Sequence, residues 1–268
     1  MRKRNPRFTP LKFMLVLLVG VLAPGWAHAK KKKPSPPTGL PGQVNLLARQ
    51  LYGLHMDESA EVAGKIRKLV LDDLEQWMAN RTPTDVEVRR ELEMAFSALH
   101  WPLVGQPATF ALPWKGGVLV GAGYTLEWPT YNRVNTLALF DSRDGHSRLL
   151  TTADFVPYVD QHFEFIPNTP AGDDFRFIVW GNRPGKSQPR LSAVLYSFDG
   201  RSLETQWEIQ DYYDGRLDVD GTKVVIRFLR ESEYVNATQQ RRYPPRHEAT
   251  YLLTPTGLQL QAERDIPF

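Results

Sequence analysis

The residues able to do chemistry fall into a few small groups. His162 and Glu164 stand two apart in an alternating stretch. On a strand that spacing puts both on one face, where they can serve as base and acid or share a metal. No third ligand stands nearby, so a polar, solvent-facing row fits the pair better. Asp211, Asp214, Asp218 and Asp220 have the density of a calcium loop without its twelve-residue pattern, and Asp214-Gly215 and Asp220-Gly221 read as turns. Gly181 to Ser187, GNRPGKS, is one residue short of a phosphate-binding loop and leads into another strand rather than a helix. There is no G-x-S-x-G and no cysteine, which removes the hydrolase elbow, thiol nucleophiles, thiolate metal sites and disulfides. No cofactor or metal is expected.

The remaining group points to binding. Trp128, Tyr131, Tyr212, Tyr213, Tyr234, Arg241, Arg242, Tyr243, Arg246 and His247 gather in or beside the longer connections of the C-terminal two thirds of the chain. Aromatic rings beside arginines are the material of interaction surfaces, and long loops on a rigid scaffold are where such surfaces sit. The densest stretch is Glu231 to His247.

These residues must be positioned by strands. LSAVLYSFDGRSLETQW, from Leu191 to Trp207, reads as a hairpin turning at Asp199-Gly200. NTLALFDSRDGHSRLL turns the same way at Asp144-Gly145, and TYLLTPTGLQLQA at Thr256-Gly257. The turn glycines at 145, 200 and 257 are 55 and 57 residues apart, the mark of a repeated unit. Twelve strands can be laid out as three units of four. Two sets of turns in each unit, short and rich in Asp-Gly, fall at one end, and the longer connections fall at the other. Leu203–Ile209 ends the second unit and Arg216–Val219 begins the third. Phe175 to Trp180 is apolar or large at both parities, which predicts a strand covered on both faces.

Three four-stranded meanders resemble propeller blades, although no Trp-Asp or double-glycine blade signature is present and three blades are too few to close a ring. The fold class is α+β: an N-terminal three-helix segment packed on a β-rich domain of three antiparallel meander units. That domain is propeller-like but incomplete, with a trefoil or prism and a curled sandwich as alternatives. In the helical part, Val62, Ile66, Leu69, Val70, Leu74, Trp77 and Met78 recur on one face. Thr84 to Glu87 forms a capping box ahead of a third helix from Asp85 to about Leu99. The helices are expected to cover an open edge of the β part.

Residues 1–29 read as a secretory leader, with five basic residues and no acid, an apolar run from Phe13 to Ala23, and an Ala27-His28-Ala29 cleavage site. Residues 30–42, KKKKPSPPTGLPG, form a Lys/Pro-rich linker. A helical segment over 43–104 and a β-rich repeat domain over 105–268 complete the domain order. Residues 34–268 carry 24 basic against 30 acidic groups, so the mature body is mildly acidic and nucleic acid is not the expected partner.

The sequence therefore predicts a periplasmic or secreted, non-enzymatic module that contacts a protein, peptide or glycan, with no membrane span after cleavage. The alternatives are an extracytoplasmic hydrolase using carboxylates such as Glu164, Glu231 or Glu233, and a structural envelope protein. The exported protein is expected to begin at Lys30. N-terminal sequencing of envelope material checks this, and a chain beginning at Met1 would show a retained anchor.

Overall fold

The computed structural model describes residues 39–52, 54, 56–100, 106–128, 132–143, 145–154, 162–165, 175–183, 185 and 187–267. Three helices come first: α1 (Leu40–Gln50), α2 (Met56–Met78) and α3 (Asp85–Ala95). Four strands follow, β1 (Ala108–Trp114), β2 (Gly117–Trp128), β3 (Asn132–Arg143) and β4 (His146–Ala153). The chain continues through β5 (His162–Phe165), β6 (Phe175–Arg183), β7 (Arg190–Phe198), β8 (Leu203–Asp220) and β9 (Lys223–Leu229). It ends with α4 (Glu231–Gln239), β10 (Arg246–Thr254) and β11 (Gly257–Ile266). Pro41 in the first turn starts α1 inside the expected linker, because proline is pre-set for that position. The capping box forms as read: Thr84 accepts from the Glu87 amide while Glu87 accepts from the Thr84 amide at 3.0 Å.

The strands make two antiparallel sheets. The first is β1-β2-β3-β4 and the second is β11-β10-β9-β8-β7-β6-β5. The first meander is thus a sheet of its own, whereas the second and third units are fused, contrary to three separate blades. The cause is β8, which merges the two strands expected at Leu203–Ile209 and Arg216–Val219. The Asp211-to-Gly215 signal, read as a turn, forms an irregular corner within one strand. Asp211 and Asp214 have φ of 64° and 44°. The register shifts between Leu191 and Ala193 on the β7 side and between Tyr213 and Arg216 on the β9 side. The corner stays tied to the neighbouring segment: Asp214 N donates to Pro189 O at 2.8 Å. Asp-Gly serves turns and bulges alike, so the sequence signal is the same for both.

The corner folds the second sheet back over itself. Strands β8 and β11 are separated by two others in the sheet, yet Gly257 abuts the Gln206 carbonyl. Arg176 on β6 donates to the carbonyls of Thr254 and Pro255 at 2.8 and 2.7 Å, and Trp207 meets Tyr251 edge-on at 5.2 Å.

Side-chain parity then fixes four layers. On β2 and β3, Val120, Ala122, Tyr124, Leu126, Ala138 and Phe140 face the helices and share a core with Ile66, Val70, Leu74, Val88 and Leu92. The opposite parity, Leu119, Leu137 and Leu139, packs with Phe177, Val179, Val194, Tyr196 and Phe198 of β6 and β7. The other faces of β6 and β7, through Ile178, Leu191, Ala193 and Leu195, meet Val224, Ile226, Phe228, Ala249 and Tyr251 of β9 and β10. The helices therefore cover a sheet face, not the edge expected for them. The hairpin glycines Gly145, Gly200 and Gly257 all have the positive φ their turns demand. They share one end of the layers with the Asp220-Gly221 turn. Gly200 lies beside Trp114 at the β1–β2 turn, which ties the first sheet to this end.

At the α2–α3 seam, burial raises the carboxyl of Asp73 above its ordinary pKa. Burial, and then the charge of Asp73, does the same to Glu91. A carboxyl whose folded pKa is raised stabilises the fold fully below its unfolded value and loses that contribution as pH rises. Glu91→Gln is therefore expected to raise the melting temperature at pH 7. The gain should vanish below about pH 4, where both side chains are neutral, as thermal melts at the two pH values would show.

Candidate functional site

Opposite the Asp-Gly turns, four elements of the second sheet converge. These are the β6–β7 connection, the β8 corner, α4 and the paired ends of β10 and β11. The corner is set by close packing: a Cβ on Gly215 would lie 2.5 Å from that of Leu191, so the strand approaches β7 only with glycine there. Helix α4 starts after Arg230 without a side-chain cap and buries Ala237. Polar contacts of Glu231 and Glu233 also attach it to the sheet.

Those contacts form two linked networks. Arg183 donates to Asp211 at 2.7 Å, and Arg190 lies 4.0 Å from the other Asp211 oxygen. Arg190 also donates to the Tyr213 hydroxyl at 2.6 Å, and Tyr213 in turn donates to Glu231 on α4. Glu231, and then desolvation, raise the pKa of the Tyr213 phenol, while Arg190 acts in the opposite sense. Tyr234 packs on Tyr213 with centroids 5.8 Å apart and accepts from Gln188 at 3.4 Å. In the second network His247 places one ring nitrogen 2.5 Å from Glu233 of α4 and the other 2.9 Å from Asp265 of β11. The His247 bond, followed by Arg230, holds Glu233 below the usual carboxylate range. Arg230 joins Glu233 to Glu263 at 3.5 and 2.5 Å. Arg246 pairs with Asp214.

Between the networks lies a cleft of about 420 Å³ whose lining includes Tyr212, Phe228, Asp211, Arg230, Glu231 and Glu263. Tyr212 stacks on Phe228 at 4.2 Å. Among the described residues no group of three or more His, Asp or Glu is placed to hold a metal ion. Asp211, Asp214 and Asp218 are each ion-paired to arginine, Asp218 to Arg227 at 2.8 Å.

The expected site residues divide sharply. Tyr213, Tyr234, Arg246 and His247 come together, but as members of the networks, and Tyr212 lines the cleft between them; Tyr213 and His247 are buried at 4% and 3% exposure. Arg241, Arg242 and Tyr243 stand exposed on the connection from α4 to β10, Tyr243 at 86%. Trp128 ends β2 in the first sheet, and only its backbone is described. Tyr131 lies outside the described residues, as do the side chain of Glu164 and all of Tyr158. His162 stacks on Trp180 at 4.3 Å. Sequence reasoning did not find Gln188, Glu263 and Asp265. Asp265 is the cross-strand neighbour of His247, a relation visible only once the β10–β11 register is known.

Tyr213→Phe keeps the ring and deletes the hydroxyl that links Arg190 to Glu231. It is expected to cost about 1–3 kcal/mol in urea unfolding at pH 7. No family model, curated protein or solved structure matches the chain in comparisons with known proteins.

Proposed function

We propose that the chain is an exported, non-enzymatic binding module that engages a ligand with the α4 end of its β domain. The carrying observation is the connection after α4. Tyr243, the most exposed of the large apolar or aromatic side chains that stand out on the surface, follows Arg241 and Arg242 and precedes Pro244 and Pro245. Tyrosine and arginine are both among the side chains most enriched at the centres of contact surfaces. The prolines stiffen the segment, which lowers the ordering cost of binding. The Tyr212-lined cleft lies at the start of the same helix, beside Arg230 and Glu231.

Export is supported by the leader-like residues 1–29, and the acidic balance of residues 34–268 argues against nucleic acid as the ligand. The 55- and 57-residue spacing of Gly145, Gly200 and Gly257 supports a repeated meander as the unit from which the β part is built. Glu231 and Glu233, the carboxylates an acid–base reading would use, are engaged by Tyr213 and His247.

A photo-crosslinking amino acid placed at position 243 in the exporting cell tests the reading. Adducts are expected from 243 and not from 201, which lies in the β7–β8 turn at the other end. Equal labelling from both positions, or none from 243, would contradict it. The adduct masses separate protein from glycan.

A further inference from the structure

Resting on the binding reading above, we infer that the turn at 241–245 docks an extended, carboxylate-bearing segment of a partner protein. Six arginines crowd this end of the second sheet. Four are spent within the molecule: Arg183 on Asp211, Arg190 on Asp211 and Glu231, Arg230 on Glu233 and Glu263, and Arg246 on Asp214. Among the described residues Arg241 and Arg242 have no side-chain ion pair or hydrogen bond, and both are exposed. Their guanidinium forks are open to the planar, bidentate bond that carboxylates make best.

The backbone holds these donors in a set place. Helix α4 closes with Arg242 N donating to Ala237 O at 2.8 Å and Arg241 N to Thr238 O at 3.1 Å. Arg241 takes the left-handed conformation, φ 54°, that helix ends normally give to glycine or asparagine. A bulky cation is kept where a glycine would sit without strain, and Pro244-Pro245 then fixes the exit of the chain. Tyr243 adds an apolar step beside the two charges.

The surroundings choose among anionic partners. Residues 34–268 carry six more acidic than basic groups, so a long polyanion meets repulsion once it passes the turn. A short acidic segment touches the basic island alone. Carboxylates two residues apart on an extended peptide are roughly 6.6 Å apart, a span that neighbouring arginine side chains cover. The prolines offer no amide to a partner strand, so recognition runs through side chains instead of sheet extension.

Fluorescence anisotropy with the mature protein and a labelled peptide of repeating Ser-Glu-Leu-Glu tests the assignment. Saturable binding is expected, weakened about tenfold or more by joint Arg241→Ala and Arg242→Ala substitution and about threefold by Tyr243→Ala. Arg201→Ala, an exposed site at the opposite end, should leave it unchanged. No saturable binding, or the same loss from Arg201→Ala, would overturn the inference. So would a matching dependence on Arg241 and Arg242 for a uronate oligosaccharide or for phosphatidylglycerol vesicles but not for the peptide. Should the peptide fail while position 243 still crosslinks, the ligand chemistry falls and the binding surface stands.

Discussion

Strands β6 and β7 carry apolar side chains on both faces, and both sets are buried. Phe177, Val179, Val194 and Tyr196 point one way, and Ile178, Ala193 and Leu195 the other. A strand of this kind is stable only with a layer on each side. One layer is the first sheet; the other must come from the rest of the same chain. The β8 corner delivers it by returning β9, β10 and β11 across the exposed face. The first sheet meets the same demand at its outer face and satisfies it with α1, α2 and α3. The four-layer order thus follows from one requirement, the burial of alternate parities, passed from layer to layer.

The corner that satisfies this requirement also creates the end proposed to bind. Turning β8 through Asp211 and Asp214 brings the β6–β7 connection, the start of α4 and the β10–β11 ends to one place. Backbone strain at two aspartates is offset by their arginines, which tie the corner to β6, β7 and β10. Buried His247 ties α4 to β11 through Glu233 and Asp265. Most of the charge at this end is therefore structural. What is left for a partner is the part that the networks do not consume, the Arg241-Arg242-Tyr243 turn.

Much of this is legible in the sequence. Period-two alternation marks some strands, Val224, Ile226 and Phe228 of β9 among them, and the Asp-Gly and Thr-Gly pairs place the hairpins, because both signals are local. The parity of Phe175 to Trp180 announced double coverage. What covers it was hidden, since layer order is a non-local property. The β8 corner was misread because Asp-Gly marks turns and bulges equally. In the site, exposure was the illegible quantity. Tyr213 and Tyr243 are both tyrosines beside arginines, but one is closed between Arg190 and Glu231 and the other stands in solvent. Asp265 could not be joined to His247 without the strand register.

Amide hydrogen exchange of the protein, resolved by residue, tests double-sided burial most directly. Amides of β6 and β7 are predicted to exchange only through global unfolding and to be the slowest in the molecule. Those of the edge strand β11 and of the turn at 241–243 should exchange orders of magnitude faster. If β6 and β7 instead exchanged as fast as β11, the layers over them would not be held in place. The fold-back of β8, and the proposal that the end it builds binds a ligand, would then have to be abandoned.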